Sequence, residues 1–163
     1  MPSVASLEKS EYYALRQNAF WKIMDDLFRA GPGLAYAERL RTMVGHGVAL
    51  WDVLETCERF GSLDSSIDVA TARPNDFLRL FCKHAMIRHV FFNGRKAADI
   101  FSKKVQPTLE AEFDDKVYIT LPSTSPAHAS MTYAEKLEKW SAVAQALTND
   151  RPDDSQRLPG GRG

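Results

Sequence analysis

Three hydroxyls in a row carry the clearest chemical potential of this chain. Ser123, Thr124 and Ser125 stand between Pro122 and Pro126, directly after the alternating run Val117–Leu121. That run reads as a strand, and Pro122, with no N–H to give to a ladder, ends it. Hydroxyl and backbone donors on a stiff loop at the carboxyl end of a strand suit a phosphate or a sugar; the alternative is an ordinary Ser/Pro turn. Asn18 is the second candidate. It is either a good helix N-cap or an amide that orients a water or reads a base edge. Tyr12, Tyr13 and Phe20 lie close by and could stack on a base, although aromatics at helical spacing more often fill a core. Asp52 closes an otherwise apolar run, so it must be hydrogen-bonded or lie near the mouth of a sheet, as a cap or as a ligand group. Asn93-Gly94 reads as a strand-to-helix turn or as a place where backbone N–H groups approach a ligand. Asp64 and Asp76 read as caps or loop solvation, and Cys57 and Cys82 as packing thiols.

These residues must be held by elements, and the periodicity supplies them. Helices are expected over 18–30, 36–44, from Pro74 through about 84, over 95–104 and over 133–147. Strands are expected over 48–53, 87–92 and 117–121. Residues 1–16 read as a loop and 57–73 as an irregular stretch. Strands alternating with helices imply an α/β fold with a parallel sheet covered on both faces. In such folds ligands bind beyond the carboxyl ends of the strands, where Asp52, Asn93 and Ser123 to Ser125 fall. One domain is expected over 1–148, with 149–163 a Pro/Asp/Gly/Arg-rich tail that lacks anything to bury.

Composition narrows the classes. A chain of 163 residues, 44% hydrophobic and 26% charged, is ordinary for one globular domain. No apolar run approaches the roughly 18 residues of a membrane span, and the amino terminus is no secretory signal, so a cytoplasmic protein with reduced cysteines is expected. His46, His84, His89 and His128 are scattered and no CxxC or HExxH pattern occurs, so no metal site is expected. No Ser/His/Asp spacing and no GxxxxGK[ST] signature stands out. Formal net charge is zero, so nucleic-acid binding would need a local basic face.

The blocks QNAFWKIMDDLF, VALWDVLETCERFGSLDSSI, the Asn-Asp at 75 and 76, VFFNGRKAADIF and LPSTSPAHA occur in one order. Together they resemble the DNA-deoxyinosine (hypoxanthine-DNA) glycosylase family of the uracil-DNA glycosylase superfamily, over about residues 2 to 141. The Asn-x-Phe-Trp block is also similar to the mismatch-specific uracil and thymine branch. The resemblance implies a three-layer α/β/α sandwich around a four-stranded parallel sheet, and excision of a deaminated base from DNA without metal or organic cofactor. Double- or single-stranded DNA carrying such a base is the implied partner, and a monomer acting at the bacterial nucleoid is expected. The resemblance makes Asn18 the catalytic candidate and Asp52 and Asn93 base-binding candidates, beside which Phe20 and Tyr13 are expected to stack on the base. It makes Ser3, Pro122, Ser123, Thr124, Ser125 and Pro126 the DNA-gripping residues.

Three departures from the family pattern stand out. Of a first motif written as a strand followed by Gly-Ser-x-Pro-Ser/Gly, only Met1-Pro2-Ser3 is present. The first sheet strand is therefore expected to be missing, through a start assigned at an internal methionine, a truncated chain or a decayed gene. Leu15-Arg16-Gln17-Asn18 replaces the usual His-Pro-Arg-Asn. Leu121 precedes Pro122 where classical uracil glycosylases carry histidine, which favours the deoxyinosine branch. The alternatives are a mismatch-specific uracil glycosylase and a non-catalytic DNA-binding relative.

Overall fold

The computed structural model describes residues 4–56, 71–109, 113 and 115–149. The elements run α1 (Val4–Lys9), α2 (Phe20–Phe28), α3 (Tyr36–Gly45), β1 (Leu54–Thr56), β2 (Arg73–Pro74), α4 (Phe77–Lys83), β3 (His89–Asn93), α5 (Arg95–Lys104), a 3-10 turn (Gln106–Thr108), β4 (Val117–Leu121) and α6 (Tyr133–Asn149). β3 and β4 are parallel and in register from His89 opposite Val117 to Asn93 opposite Leu121.

Because side chains alternate across a strand, this parallel pair serves two apolar layers. Phe91, Ile119 and Leu121 join Phe20, Trp21, Ile23, Met24 and Phe28 of α2, Met43 of α3, and Trp140 and Val143 of α6. Val90, Phe92 and Tyr118 face the other way, onto Phe77 and Phe81 of α4 and Phe101 of α5. Helices thus cover both faces, which makes an α/β fold in α/β/α order. The parallel sheet has two strands among the described residues.

Two expectations are corrected. Residues 48–53 do not form a strand. Val48 and Leu50 pack against the α2–α3–α6 core while Ala49 and Trp51 stay exposed, so the apolar run serves as an irregular cover. The strand starts at Leu54 and pairs antiparallel with Arg73–Pro74, which places Asp52 two residues ahead of a strand and not at the end of one. The expected loop over 1–16 contains α1, and the short segment VASLEK is built largely of good helix formers. The helices expected over 36–44, 95–104 and 133–147 lie where expected within two residues. The fourth begins at Phe77 because the Asp76 carboxylate accepts the Arg79 N–H at 2.9 Å and caps it. Asp64, Cys57 and the tail from 150 onward lie outside the described residues, and Asn149 belongs to α6.

Candidate functional site

In-register parallel pairing brings the carboxyl ends of β3 and β4 to one edge, with Asn93-Gly94 beside Pro122-Ser123-Thr124. Gly94 is required there. It sits at φ 95°, and a Cβ on it would lie 3.0 Å from the Ser123 Cβ. Its N–H bonds the Leu121 carbonyl at 3.0 Å, so the two strand ends lock together.

Thr124 is the junction of three sequence blocks. It is wholly buried. Its N–H donates to Asn93 Oδ1 at 2.9 Å, and Asn93 Nδ2 donates to its Oγ1 at 2.8 Å. Its carbonyl accepts the Ala19 N–H at 3.0 Å, which ties the start of α2 to the loop. This changes the role expected of Thr124. Thr124 has no surface to offer a DNA backbone, and Asn93 uses both ends of its amide to hold Thr124. Within the loop Pro126 is exposed and Pro122, Ser123 and Ser125 are half-buried, and the Pro122 carbonyl accepts the Trp140 indole N–H at 2.9 Å. Ser3 lies outside the described residues.

Asn18 is held at the mouth of the same junction. Its Oδ1 accepts the Phe20 N–H at 3.0 Å, and its own N–H bonds the Leu15 carbonyl at 2.9 Å. The amide oxygen is therefore engaged in a local turn just ahead of α2, whose N-cap is Ala19, which fixes the direction of the Nδ2 donors.

Phe20 is corrected as a base contact. Its ring is 2% exposed, Tyr13 stacks on it at 3.9 Å, and Trp21 and Trp140 meet it edge-on. Phe20 is the backing of an aromatic platform whose half-buried upper ring is Tyr13. Tyr13 holds a left-handed backbone, φ 53°, and its neighbours enforce it. The Tyr12 N–H donates to the Tyr36 hydroxyl at 2.9 Å, and the Tyr12 carbonyl accepts the Trp21 indole N–H at 2.8 Å. On the other side the Ala14 N–H donates to the Oγ of buried Ser6 at 3.1 Å.

Asp52 lines an open concavity of about 220 Å³ with Tyr12, Trp51, Leu54, Glu55 and Asn75. Its backbone is fixed, since Asn75 Nδ2 donates to the Asp52 carbonyl at 2.8 Å and the Asn75 N–H to that of Val53 at 3.0 Å. Burial first, then the Asp52 carboxylate, push the Tyr12 phenol up to about 12. The concavity offers acceptors on one wall and a half-exposed indole, Trp51, on another. It joins the Asn18 junction through Tyr12-Tyr13-Phe20. Sequence reasoning missed Ser6, Tyr36, Trp51 and Glu55 as contributors; an exposed tryptophan next to the singled-out Asp52 was the one available signal.

Among the described residues no group of three or more His, Cys, Asp or Glu could hold a metal, and no helix is long and apolar enough to cross a membrane. Cys82 is exposed and free, so it does not pack as expected.

No family model matches the chain. Two curated proteins do. A hypoxanthine DNA glycosylase of Methanosarcina acetivorans is 32% identical over 145 residues, covering 88% of this chain and 85% of that protein. A hypoxanthine DNA glycosylase of Methanosarcina barkeri is 27% identical over 100 residues, covering 61% of this chain and 62% of that protein. Similarity of that identity along most of both chains, on an α/β/α fold whose blocks converge at Thr124, means that this chain belongs to the hypoxanthine DNA glycosylase family.

Proposed function

We propose that the protein is a monofunctional, monomeric DNA repair glycosylase. It extrudes a deaminated base, hypoxanthine foremost, and hydrolyses its N-glycosidic bond to leave an abasic site in the chromosome of a cytoplasmic nucleoid. The observation that carries this reading is the convergence of Asn18, the Tyr13–Phe20 stack and the Ser/Pro loop through Thr124. A base inside a duplex is out of reach of any such cluster, so it must be flipped out, and a mismatched base costs less to unstack. Once out, it finds an aromatic face in Tyr13; stacking of this kind is worth about 1–3 kcal/mol per base.

Glycosidic cleavage builds positive charge on the sugar and negative charge on the leaving base, so preorganised donors do most of the catalysis. Asn18, its Oδ1 already held, keeps Nδ2 donors aimed for the leaving base or the attacking water. Asp52 accepts from hypoxanthine N1–H; adenine has no proton there, so the carboxylate discriminates the lesion from the adenine it derives from. Ser123, Ser125 and Pro126 meet the DNA backbone. No step calls on a metal or an organic cofactor.

Single-turnover cleavage of a duplex with one hypoxanthine, developed with alkali, tests this. The wild type should cut at the lesion. Asn18→Ala should lose about 10²-fold or more in rate, and Asp52→Ala should lose hypoxanthine cleavage while keeping the wild-type melting temperature. Wild-type rates in both variants would overturn the assignments, and absence of cleavage by the folded wild type would overturn the activity.

A further inference from the structure

Lys136, on the first turn of α6, is 6% exposed, and no carboxylate pairs with it among the described residues. An ammonium removed from water is unfavourable unless bonded, and burial holds this one below its ordinary lysine value. Its partners are main-chain carbonyls of the loop that follows β4. Nζ donates to the His128 carbonyl at 2.7 Å and reaches the Ser125 carbonyl at 3.5 Å, the latter a charge–dipole contact more than a strong hydrogen bond.

The rest of the loop shows what this achieves. Its carbonyls are taken one after another: Pro122 by the Trp140 indole, Thr124 by the Ala19 N–H, Ser125 by the His128 N–H and Lys136, and His128 by Lys136. The serine oxygens accept backbone N–H groups, Ser123 Oγ from Ser125 and Ser125 Oγ from Ala127, each at 3.3 Å. Each serine therefore retains a hydroxyl proton to donate. A loop with four of its carbonyls held by the protein and two serine hydroxyl protons left to donate can meet a phosphate. The Ser125 carbonyl is shared between the His128 N–H and Lys136, and the His128 carbonyl takes its bond from Lys136 on α6.

We propose that Lys136 is the positioning residue of this loop: its buried ammonium gathers the Ser125 and His128 carbonyls so that the Ser123 and Ser125 hydroxyls face a DNA phosphate. The inference rests on the glycosylase reading above for the identity of the phosphate. Lys136 touches neither base nor sugar and acts on binding through the loop.

Full-length Lys136→Met, Lys136→Arg and wild type would be compared on a duplex carrying one hypoxanthine. Lys136→Met should weaken binding about 10-fold or more and leave the single-turnover rate at saturating enzyme within about twofold. Lys136→Arg, which keeps charge and donors, should recover most of the affinity. Unchanged affinity in the Met variant would overturn the proposal, as would a lost saturating rate with affinity intact, or an Arg variant no better than Met. If Lys136→Met does not fold, Lys136→Gln carries the same comparison with the same expected and overturning results. If the folded wild type neither binds nor cuts the duplex, the glycosylase reading fails by itself. Amide exchange then tests the loop-holding role. Exchange at Ser125, Ala127 and His128 about 10-fold faster in Lys136→Met supports it, and unchanged exchange overturns it.

Discussion

Tyr13 sits in a backbone conformation that costs a bulky residue about 1–2 kcal/mol, and four groups around it, the Tyr36 hydroxyl, the Trp21 indole, Ser6 Oγ and the Phe20 ring, hold it there. Strain of this kind persists only where the surroundings over-determine it; here the result is a ring laid flat on Phe20. Asn93 has no left-handed backbone and gives one amide donor and its oxygen to a single neighbour, Thr124. Asn93→Ala would leave the buried N–H and hydroxyl of Thr124 without their partner. Stability should drop by about 1–3 kcal/mol, read by urea denaturation, with a weaker affinity for hypoxanthine DNA. A variant that loses activity at wild-type stability would instead make Asn93 a base reader. Residue type alone picked out Asn18, Asp52 and Asn93, but not which atoms of each are already engaged. Amide and carboxylate groups serve as caps, struts or ligand contacts with the same chemistry, and only the partner decides.

At the scale of elements, α6 does more than cover the sheet. Thr132 and Glu135 make a reciprocal cap: the Thr132 N–H and hydroxyl both donate to Glu135 Oε2 at 2.7 Å, and the Glu135 N–H donates to Thr132 Oγ1 at 3.3 Å. That cap fixes the turn from which Lys136 reaches the loop. Thr132→Ala should lower stability by about 1 kcal/mol, a fall of about 2–4 °C in melting temperature for a domain of this size; an unchanged melting temperature would show that the helix start is held from elsewhere. The hydrogen bonds of Thr132 also hold the Glu135 carboxyl below its ordinary range. Strong amphipathic periodicity made the long helices legible. The run at 48–53 was not, because a continuous apolar stretch suits a buried strand and an irregular core cover equally well. Which it becomes depends on the layer waiting to receive Val48 and Leu50.

The whole molecule is tied together by tyrosines whose protons are hard to remove. Burial, then the Asp52 and Tyr36 groups, push the Tyr12 phenol up to about 12 from the ordinary 10.0. Tyr133 is raised further, by burial and by its 2.5 Å bond to Asp26, which links α6 to α2. A raised value means the folded state keeps a proton that the unfolded chain gives up. The contribution of Tyr12 is therefore fully present below pH 10 and is lost as pH rises towards 12. Urea midpoints measured from pH 9 to 12 should fall across that window. Asp52→Asn, which removes the second cause of the Tyr12 shift, should bring its phenolate absorbance step to lower pH. A Tyr12 step already at pH 10 in the wild type would contradict the packing described around Asp52.

The sequence by itself determined the α/β class, five of the helices to within a few residues, the parallel strands ending at Asn93 and at Leu121 before Pro122, and the family through its ordered blocks. Those follow from local rules: periodicity, proline's missing N–H, and motif order along the chain. Only the tertiary structure decided that Thr124 is a buried junction and not a DNA contact, that Tyr13 and not Phe20 presents a face, and that Lys136 is drawn under the loop. Each of these depends on residues 7 to 31 positions apart meeting in space, and side-chain partners at that separation are set by how the layers pack, which no window of sequence contains.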